Sequence, residues 1–539
     1  MLETTPNLRR SSQKARSRSW ICWGIIFLLA ALFRIAPIRS GLPYSDYVDE
    51  GHVLHQTIDA FNNRSLDVYW YGLPAFPAYC AGAGLLGYGP FYRHFHGHGF
   101  RQDLPHEPGV PSSKVNYDFI APVELIVAGR IATACLSLAT VILAGILASR
   151  LATDQAGILA MLLTAVCPAL VTRASIVIVD TFAAFFVLVV LYLCAQISTT
   201  AGARVWRGIV LAGLATGFAF ASKYPAATVA LVMIATIIGL SVPWRRRLGL
   251  LFSGAGGLVG GIFLGAPMTF LKPITVWRDI LGNIRAYAEI PSSEGYFRQA
   301  ISMSELGLPL LLAGLAGIIL MLRRKETRGV TLGWLCFAAL LIASFMGKSF
   351  RPFRSFLPLI APLCIAAAIA LSFLIDWARR GLHSWRRIWP TAALIALCLG
   401  SLGVSSFQQV QPRMAHKDTR IQAIDWLQKN AAKEKSVLGI RELAILPAEW
   451  NRIAARSTIV PWFEAADLLE RQQFDYIVTG DFDLRYASNP KESSTYRARW
   501  MSKVASLPAQ AEFGEVATLV VPYVWRTNDE HIFVLKGSP

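Results

Sequence analysis

Charged residues are scarce in this chain. They make up 16% of its 539 residues, whereas soluble globular proteins contain about 25%. Hydrophobic residues make up 54%, and the mean hydropathy is positive. The apolar residues gather in stretches of about 18 residues or more, each long enough to cross about 30 Å of hydrocarbon. This composition excludes an ordinary soluble protein and predicts a polytopic α-helical membrane protein.

Cysteine motifs are also missing. No CxxC pair occurs, and no cysteine follows Cys398. Seven of the eight cysteines fall in apolar stretches, and Cys80 lies near one. A single buried cysteine behaves as a small hydrophobic residue. The sequence therefore predicts neither a disulfide framework nor a thiolate metal site.

The apolar stretches predict about eleven membrane spans. Their approximate bounds are 20–38, 125–146, 155–171, 176–198, 207–222, 226–243, 249–266, 306–322, 330–346, 355–375 and 388–405.

The net charge of +18 is explained by short basic clusters between these spans. When eleven spans alternate, every cluster falls on one side. The clusters comprise the basic N-terminal tail, Arg150, Arg204 with Arg207, Arg245–Arg247, Arg323–Arg328 and Arg379–Arg387. Cytoplasmic loops carry such an excess, which predicts a cytoplasmic N-terminus and an outer C-terminus. We expect membrane lipids, and no nucleic acid, as partners of these charges.

The first outer loop, about 39–124, is predicted to contain an amphipathic helix in the membrane interface. Val53, Leu54, Ile58 and Phe61 recur there at helical spacing. The later segment HFHGHGF alternates His94, His96 and His98. Its interleaved glycines favour a flexible loop over a zinc site.

The residues after about 411 differ in character from the spans. Asp418 is a predicted helix N-cap, and SVLGI, RSTIVPW and FDYIVTGD are typical of short buried strands. EVATLVVPYVW and HIFVLKG are predicted to form a closing hairpin. The chain is thus predicted to have a membrane domain, 1–410, and an extracytoplasmic α/β domain, 411–539.

Several ionisable residues fall on the predicted outer side, at or near span ends. They are Asp49, Glu50, Asp180, Lys223, Arg351 and Arg354. Charges at the mouths of spans are costly unless they are solvated, paired or used. Their common side predicts one polar site.

The acidic members of this site suggest base chemistry. Asp49 or Glu50 could take a proton from an attacking hydroxyl, and Asp46 is a competing candidate. Asp180 could orient a substrate, or hold a divalent cation jointly with Asp49. The alternative for Asp180 is a simple ion pair with Arg173.

The basic members suggest an anionic ligand. Lys223 could neutralise a lipid phosphate as a point charge, and Arg351 and Arg354 offer bidentate phosphate contacts. The alternative for all three is headgroup binding without chemistry.

Several segments together resemble the GT-C superfamily of membrane glycosyltransferases. The group in question contains the protein O-mannosyltransferases, the lipid A aminoarabinose transferases and their bacterial relatives. The similar segments are DEGH, YGLPAFPAY, GRIATACLSLATVILAGILA with Arg130 at its entry, SIVIVDTFAAFF, GLATGFAFASKYPA and FRSFLPLIAP. Ser355 stands where the last of these usually has tyrosine.

The resemblance implies inverting transfer of a sugar from a polyprenyl-phosphate donor to a hydroxyl or amine outside the cytoplasmic membrane. Asp49 would be the catalytic base, Glu50 its supporting acid and Asp180 the second carboxylate. Lys223 with Tyr224, and the arginines Arg130, Arg351 and Arg354, would bind the donor. The acceptor would be a glycan, a lipid or a protein.

A transporter or flippase of a lipid-linked or charged substrate is the alternative. Acids and bases near spans also serve ion coupling. Transporter sites usually lie near the membrane midplane in paired repeats, whereas these charges gather at one face.

Overall fold

The structure is a computed structural model that covers the chain with gaps. It describes residues 6–44, 48–104, 122–198, 202–289, 296–346, 353–380, 384–415, 417–440, 443, 445, 447–460, 462–480, 507–513 and 532–536.

Helices dominate the described residues up to Ala415. They are α1 Pro6–Ile35, α2 Val48–Asn62, α3 Phe76–His96, α4 Val123–Leu151, α5 Asp154–Val166, α6 Pro168–Val171, α7 Val179–Ile197, α8 Ala203–Ser222, α9 Ala230–Gly239, α10 Trp244–Gly265, α11 Met268–Leu271, α12 Pro273–Glu289, α13 Tyr296–Ile301, α14 Leu308–Arg323, α15 Lys325–Phe345, α16 Leu357–Arg379 and α17 Ser384–Ala415. Short 3₁₀ turns cover Ala36–Arg39, Phe100–Gln102, Tyr224–Val229 and Phe353–Phe356.

Each of the eleven predicted spans coincides with an apolar helix. Among the described residues, eight helices are long and apolar enough to cross a membrane, and three further apolar helices have 10–17 residues. A polytopic helical fold is therefore confirmed. The number of crossings and the orientation of the chain stay predictions.

Glycines let α8 and α10 approach until their backbones touch. A Cβ atom on Gly217 would lie 2.4 Å from the carbonyl oxygen of Leu258, and one on Gly261 would lie 2.2 Å from that of Leu214. Small residues at helix contacts in membranes allow this close packing. The contact fixes the end of α8, which is followed directly by Lys223.

The predicted helix in the first outer loop is present as α2. Its apolar residues Val53, Leu54 and Ile58 are fully buried in a cluster with residues of α3 and α4. The apolar stripe of α2 therefore packs against protein. The sequence had predicted that this stripe faces lipid in the membrane interface.

The prediction of a flexible loop at the histidines was wrong for His94 and His96. Both lie in the last turn of α3, which ends at Gly97 in a left-handed conformation with φ 76°. His96 lies 3.6 Å from Glu124, and His98 lies 3.5 Å from Asp103. Eighteen helical residues of α3 precede His94, and the helix continues through it despite the local glycines.

The end of the chain forms a small sheet with flanking helices. Its elements are α18 Thr419–Asn430, β1 Ser436–Ile440, α19 Pro447–Trp450, β2 Arg456–Val460, α20 Trp462–Arg471, β3 Tyr476–Gly480, β4 Ala509–Phe513 and β5 Ile532–Lys536. The strand order is β2-β1-β3-β5-β4. Strand β1 pairs in parallel with β2 and β3, as alternating strands and helices predict.

Asp418 caps α18 as predicted, since its side chain accepts a hydrogen bond from the backbone of Arg420. The first strand of the predicted hairpin, 515–525, lies outside the described residues. The described partners of β5 are β3 and β4, and both pairs are antiparallel. Strand β4 was not predicted, because AQAEF carries no run of β-branched residues. The proposed division into 1–410 and 411–539 stays a prediction.

Candidate active site

Glu50 and Arg130 form a fully buried ion pair behind α2. The Nε and Nη2 atoms of Arg130 donate to the two carboxylate oxygens of Glu50 at 2.9 and 2.7 Å. Arg130 Nη1 also donates to the carbonyls of Ile38 and Ser40, and the N–H of Val177 donates to Glu50 at 3.0 Å. Both side chains have 0% exposure. The pair thus joins α2 and α4 to the segments that precede α2 and α7, which favours a positioning role for Glu50.

Asp49 faces a different partner. It lies in the first turn of α2, and its Oδ2 atom is 2.7 Å from Nη2 of Arg354. The side chain of Asp49 is 16% exposed, so it keeps access to solvent that its neighbour Glu50 lacks. Arg354 comes from the 3₁₀ turn Phe353–Phe356, directly before α16.

Asp180 and Lys223 complete the group. Asp180 lies in the first turn of α7, where the helix dipole favours a carboxylate. Lys223 donates from its Nζ atom to Oδ1 of Asp180, and Nε of Arg354 lies 3.7 Å from Oδ2 of the same carboxylate. We call Asp49, Asp180, Lys223 and Arg354 the acid–base cluster. Its two acids and two bases come from four elements that are distant in sequence.

The titration of Asp49 suits a proton acceptor at neutral pH. Burial raises the pKa of Asp49 to about 7, with the Asp180 carboxylate acting in the same direction and Lys223 in the opposite one. The guanidinium of Arg354 favours the ionised form. A ligand that draws Arg354 away would therefore make Asp49 a stronger base.

Not every predicted site residue joins this cluster. Tyr224 donates from its hydroxyl to the carbonyl of Tyr71 at 2.9 Å, so it supports the loop between α2 and α3. Arg130 binds Glu50 and two backbone carbonyls. Arg351 and Asp46 lie outside the described residues.

Arg173, the alternative partner of Asp180, is engaged elsewhere. Its Nη1 atom donates to Glu305 at 2.7 Å, and both side chains are buried. Glu305 was not singled out in the sequence, because nothing in the segment ISMSELG marks it as a partner of a residue 132 positions away.

Sequence reasoning also missed the contacts of α12 with the loop that contains Tyr71. Asp279 accepts the N–H of Tyr71 at 3.0 Å, and Asn283 donates to the carbonyl of Gly72 at 2.8 Å. No local pattern links these segments, which lie more than 200 residues apart.

A divalent cation would find two carboxylates here. Within the described part of the chain, no group of three or more His, Cys, Asp or Glu side chains could hold a metal ion. Asp49 and Asp180 each contact a basic side chain. A divalent cation held by these two carboxylates would have to displace Lys223 and Arg354 from them.

Solved structures of membrane glycosyltransferases share this architecture. ArnT of Cupriavidus metallidurans bound to undecaprenyl phosphate aligns with a TM-score of 0.54 at 13% identity, over 95% of this chain and 98% of ArnT. The oligosaccharyltransferase of Archaeoglobus fulgidus in its apo form aligns with a TM-score of 0.53 at 12% identity, over 89% of this chain and 71% of its own. The archaeal oligosaccharyltransferase AglB of Archaeoglobus fulgidus, in complex with an inhibitory peptide and a dolichol-phosphate, aligns with a TM-score of 0.51 at 13% identity, over 90% of this chain and 71% of its own. The chain therefore has the fold of the GT-C glycosyltransferases, which confirms the resemblance.

A sequence match points in the same direction. Residues 111–271 match the family model described as dolichyl-phosphate-mannose-protein mannosyltransferase. This stretch includes Arg130, Asp180 and Lys223. No curated protein matches the chain.

Proposed function

We propose that the protein is an inverting glycosyltransferase that moves a sugar from a polyprenyl-phosphate donor to an acceptor hydroxyl or amine. The observation that carries this proposal is the acid–base cluster, in which the mostly buried cations Arg354 and Lys223 pair with Asp49 and Asp180, and burial raises the pKa of Asp49 to about 7. The fold supports it, and two of the similar structures contain a polyprenyl phosphate or dolichol-phosphate.

Lys223 and Arg354 are suited to the phosphate of the donor. A sugar linked to a lipid through one phosphate carries about one negative charge, and the released lipid phosphate carries about two. The extra charge develops as the bond between the sugar carbon and the phosphate oxygen breaks. Cations held in a water-poor site stabilise that charge more than cations in water do. Arg354 can make planar bidentate contacts, and Lys223 supplies a point charge.

Asp49 is suited to the opposite side of the reaction. The acceptor oxygen or nitrogen forms a bond to the anomeric carbon while its proton passes to the carboxylate of Asp49. The electron pair of the broken bond leaves with the lipid phosphate. Because the acceptor attacks the face of the anomeric carbon opposite this phosphate, the configuration at that carbon is inverted. Base catalysis of this kind contributes about 10²–10⁴ in rate.

Asp180 and Glu50 support these groups. Asp180 holds Lys223 and lies close to Arg354, so it orients both cations before the donor enters. Glu50 accepts hydrogen bonds from Arg130 and from the N–H of Val177, and these contacts fix the start of α2. We assign Glu50 a positioning role and Asp180 an orienting role.

The outer face of the cytoplasmic membrane is the proposed location of the reaction. Arg204 lies at the first turn of α8, whereas Lys223 follows its last residue, about 30 Å away along a helix of this length. Helix α16 likewise starts next to Arg354 and ends at Arg379. Because basic clusters mark the cytoplasmic side, the acid–base cluster belongs at the other one.

A reconstituted assay tests this function. The purified protein in liposomes, supplied with a polyprenyl-phosphate sugar, is followed for both sugar transfer and lipid flux. Asp49→Asn should lower transfer by about 10²–10⁴ because the amide cannot accept the proton. Asp425→Asn is the matched control, since Asp425 is a surface residue paired with Lys417 and Arg452.

The same assay separates the transferase from the transporter. Wild-type flux without transfer would support transport and overturn the proposal. Transfer that is equally fast in the Asp49→Asn and wild-type proteins would exclude Asp49 as the base.

A further inference from the structure

One buried contact joins the helix that precedes the C-terminal sheet to the segment that precedes α2. The guanidinium of Arg420 lies 3.6 Å from the centroid of the Tyr44 ring. Tyr44 is fully buried, and Arg420 is 2% exposed. Arg420 lies in the first turn of α18, one turn before Ile424, which packs into the core of the sheet.

The Arg420 side chain is held in place from its own side. Its Nε and Nη2 atoms donate to the two oxygens of Asp418, both at 2.9 Å, and Asp418 is fully buried. A desolvated guanidinium above an aromatic ring is attracted by the ring quadrupole more strongly than an exposed one. Tyr44 thus covers a preformed ion pair with the face of its ring.

Tyr44 is the last residue of the segment 36–44, to which Arg130 donates hydrogen bonds. The carbonyls of Ile38 and Ser40 in this segment accept hydrogen bonds from Arg130, and Arg130 also binds Glu50. Glu50 is adjacent to Asp49, the proposed base. A continuous set of contacts therefore leads from Arg420 through Tyr44 and residues 36–44 to the start of α2.

We propose that Tyr44 and Arg420 are positioning residues that tie the sheet to the segment 36–44 and so hold Asp49 in place. Through this contact the sheet and its helices would affect the reaction at Asp49, although they supply no side chain to the acid–base cluster. The proposal rests on the proposed function only for the identity of the reaction that Asp49 performs.

The Tyr44–Arg420 contact can be removed without detaching the sheet from the helices before it. Helix α17, which leads to it, is anchored separately on three outer segments. Its Ser406 donates to the carbonyl of Val166 at 2.8 Å, Gln409 donates to that of Ser304 at 3.1 Å, and Arg413 donates to that of Thr172 at 2.8 Å. Replacing Tyr44 also leaves the Asp418–Arg420 pair intact. A change at Tyr44 therefore tests coupling and not the presence of the sheet.

Amide hydrogen exchange of the full-length protein, read by mass spectrometry, is the test. Tyr44→Leu removes the aromatic face, whereas Tyr44→Phe keeps it. We expect Tyr44→Leu to speed exchange at least about tenfold in residues 36–44 and in the first turns of α2. Exchange in strands β1 and β3 should stay at the wild-type rate, and Tyr44→Phe should resemble the wild type throughout.

Arg452→Leu is the matched control in the same part of the chain. Arg452 pairs with Glu449 and Asp425 and is 37% exposed, so its loss should leave residues 36–44 unchanged. The proposal is overturned if Tyr44→Leu leaves exchange in 36–44 at the wild-type rate. It is equally overturned if Arg452→Leu speeds that exchange as much, or if Tyr44→Leu speeds exchange uniformly across the protein.

Transfer kinetics give the second readout. Tyr44→Leu should lower kcat about tenfold with little change in the KM for the polyprenyl-phosphate sugar, because Lys223 and Arg354 are untouched. Tyr44→Phe should restore kcat. If the wild type transfers no sugar, the proposed function fails, while the exchange experiment still decides whether the contact couples the two regions.

Discussion

Two buried charge groups lie side by side in this protein and differ in how completely they are satisfied. In the Glu50–Arg130 pair, both carboxylate oxygens meet a two-pronged guanidinium, and the remaining Arg130 nitrogen meets backbone carbonyls. In the acid–base cluster, Arg354 is divided between Asp49 and Asp180, and Asp49 reaches solvent. Adjacent acids at positions 49 and 50 therefore differ in their partners and in their access to solvent, and this difference is the basis of the separate roles that we propose for them.

The largest expected effect is a difference in the free energy of unfolding between a variant of the Glu50–Arg130 pair and a variant of the acid–base cluster. Arg130→Met leaves Glu50 as a buried charge without its bidentate partner and should cost about 3–5 kcal/mol. Asp49→Asn should change stability by less than about 1 kcal/mol, because the amide keeps the shape of the carboxyl group and removes a charge that burial already disfavours. Thermal unfolding of both variants in detergent measures the contrast, and equal midpoints for the two would break it.

A smaller effect concerns how the acid–base cluster is held. Its cation Lys223 depends on the packing of α8, so Gly217→Ala should destabilise the protein by about 1–3 kcal/mol through the 2.4 Å approach to the Leu258 carbonyl. Gly256→Ala on the facing helix α10 is the control, because a Cβ there meets nothing within 4 Å. Unfolding midpoints of both variants are compared. A stable Gly217→Ala protein with full activity would show that Lys223 does not need this packing.

The smallest effect is a pH dependence that only the acid–base cluster should show. The base must be ionised, so transfer should rise with pH and level off above the Asp49 pKa of about 7. Below that value the rate should fall about tenfold per pH unit, since the ionised fraction of Asp49 falls in that proportion. Initial rates from pH 5 to 9 measure the profile. A midpoint near 4, the usual value for Asp, would mean that another group limits the rate.

The sequence was informative wherever the physics is local. Apolar runs predicted the eight long and three shorter apolar helices found among the described residues, and the N-cap at Asp418 was recognised from its own segment. The same reasoning predicted that Asp49, Asp180, Lys223 and Arg354 lie on one side of the membrane, because alternating spans leave few choices once the basic clusters are assigned. The membrane side stays a prediction, but the four side chains do meet.

The sequence did not predict which side chains and strands contact one another across long distances in the chain. Glu305 as the partner of Arg173, Asp279 at the loop before α3, and strand β4 as a neighbour of β5 all involve residues distant in the chain or without local pattern. The apolar stripe of α2 shows the same limit: its spacing predicted the helix, but burial against α3 and α4 replaced the expected lipid contact.

Composition and spacing by themselves determined that this chain is helical, rich in candidate membrane spans, and charged at the span ends, because these properties depend on the transfer of local segments between water and hydrocarbon. The tertiary structure alone decided which of two neighbouring acids is fully buried and which keeps access to solvent. That distinction depends on the distances from Arg130 and Arg354 to the two carboxylates, and those distances arise only when helices remote in sequence pack together.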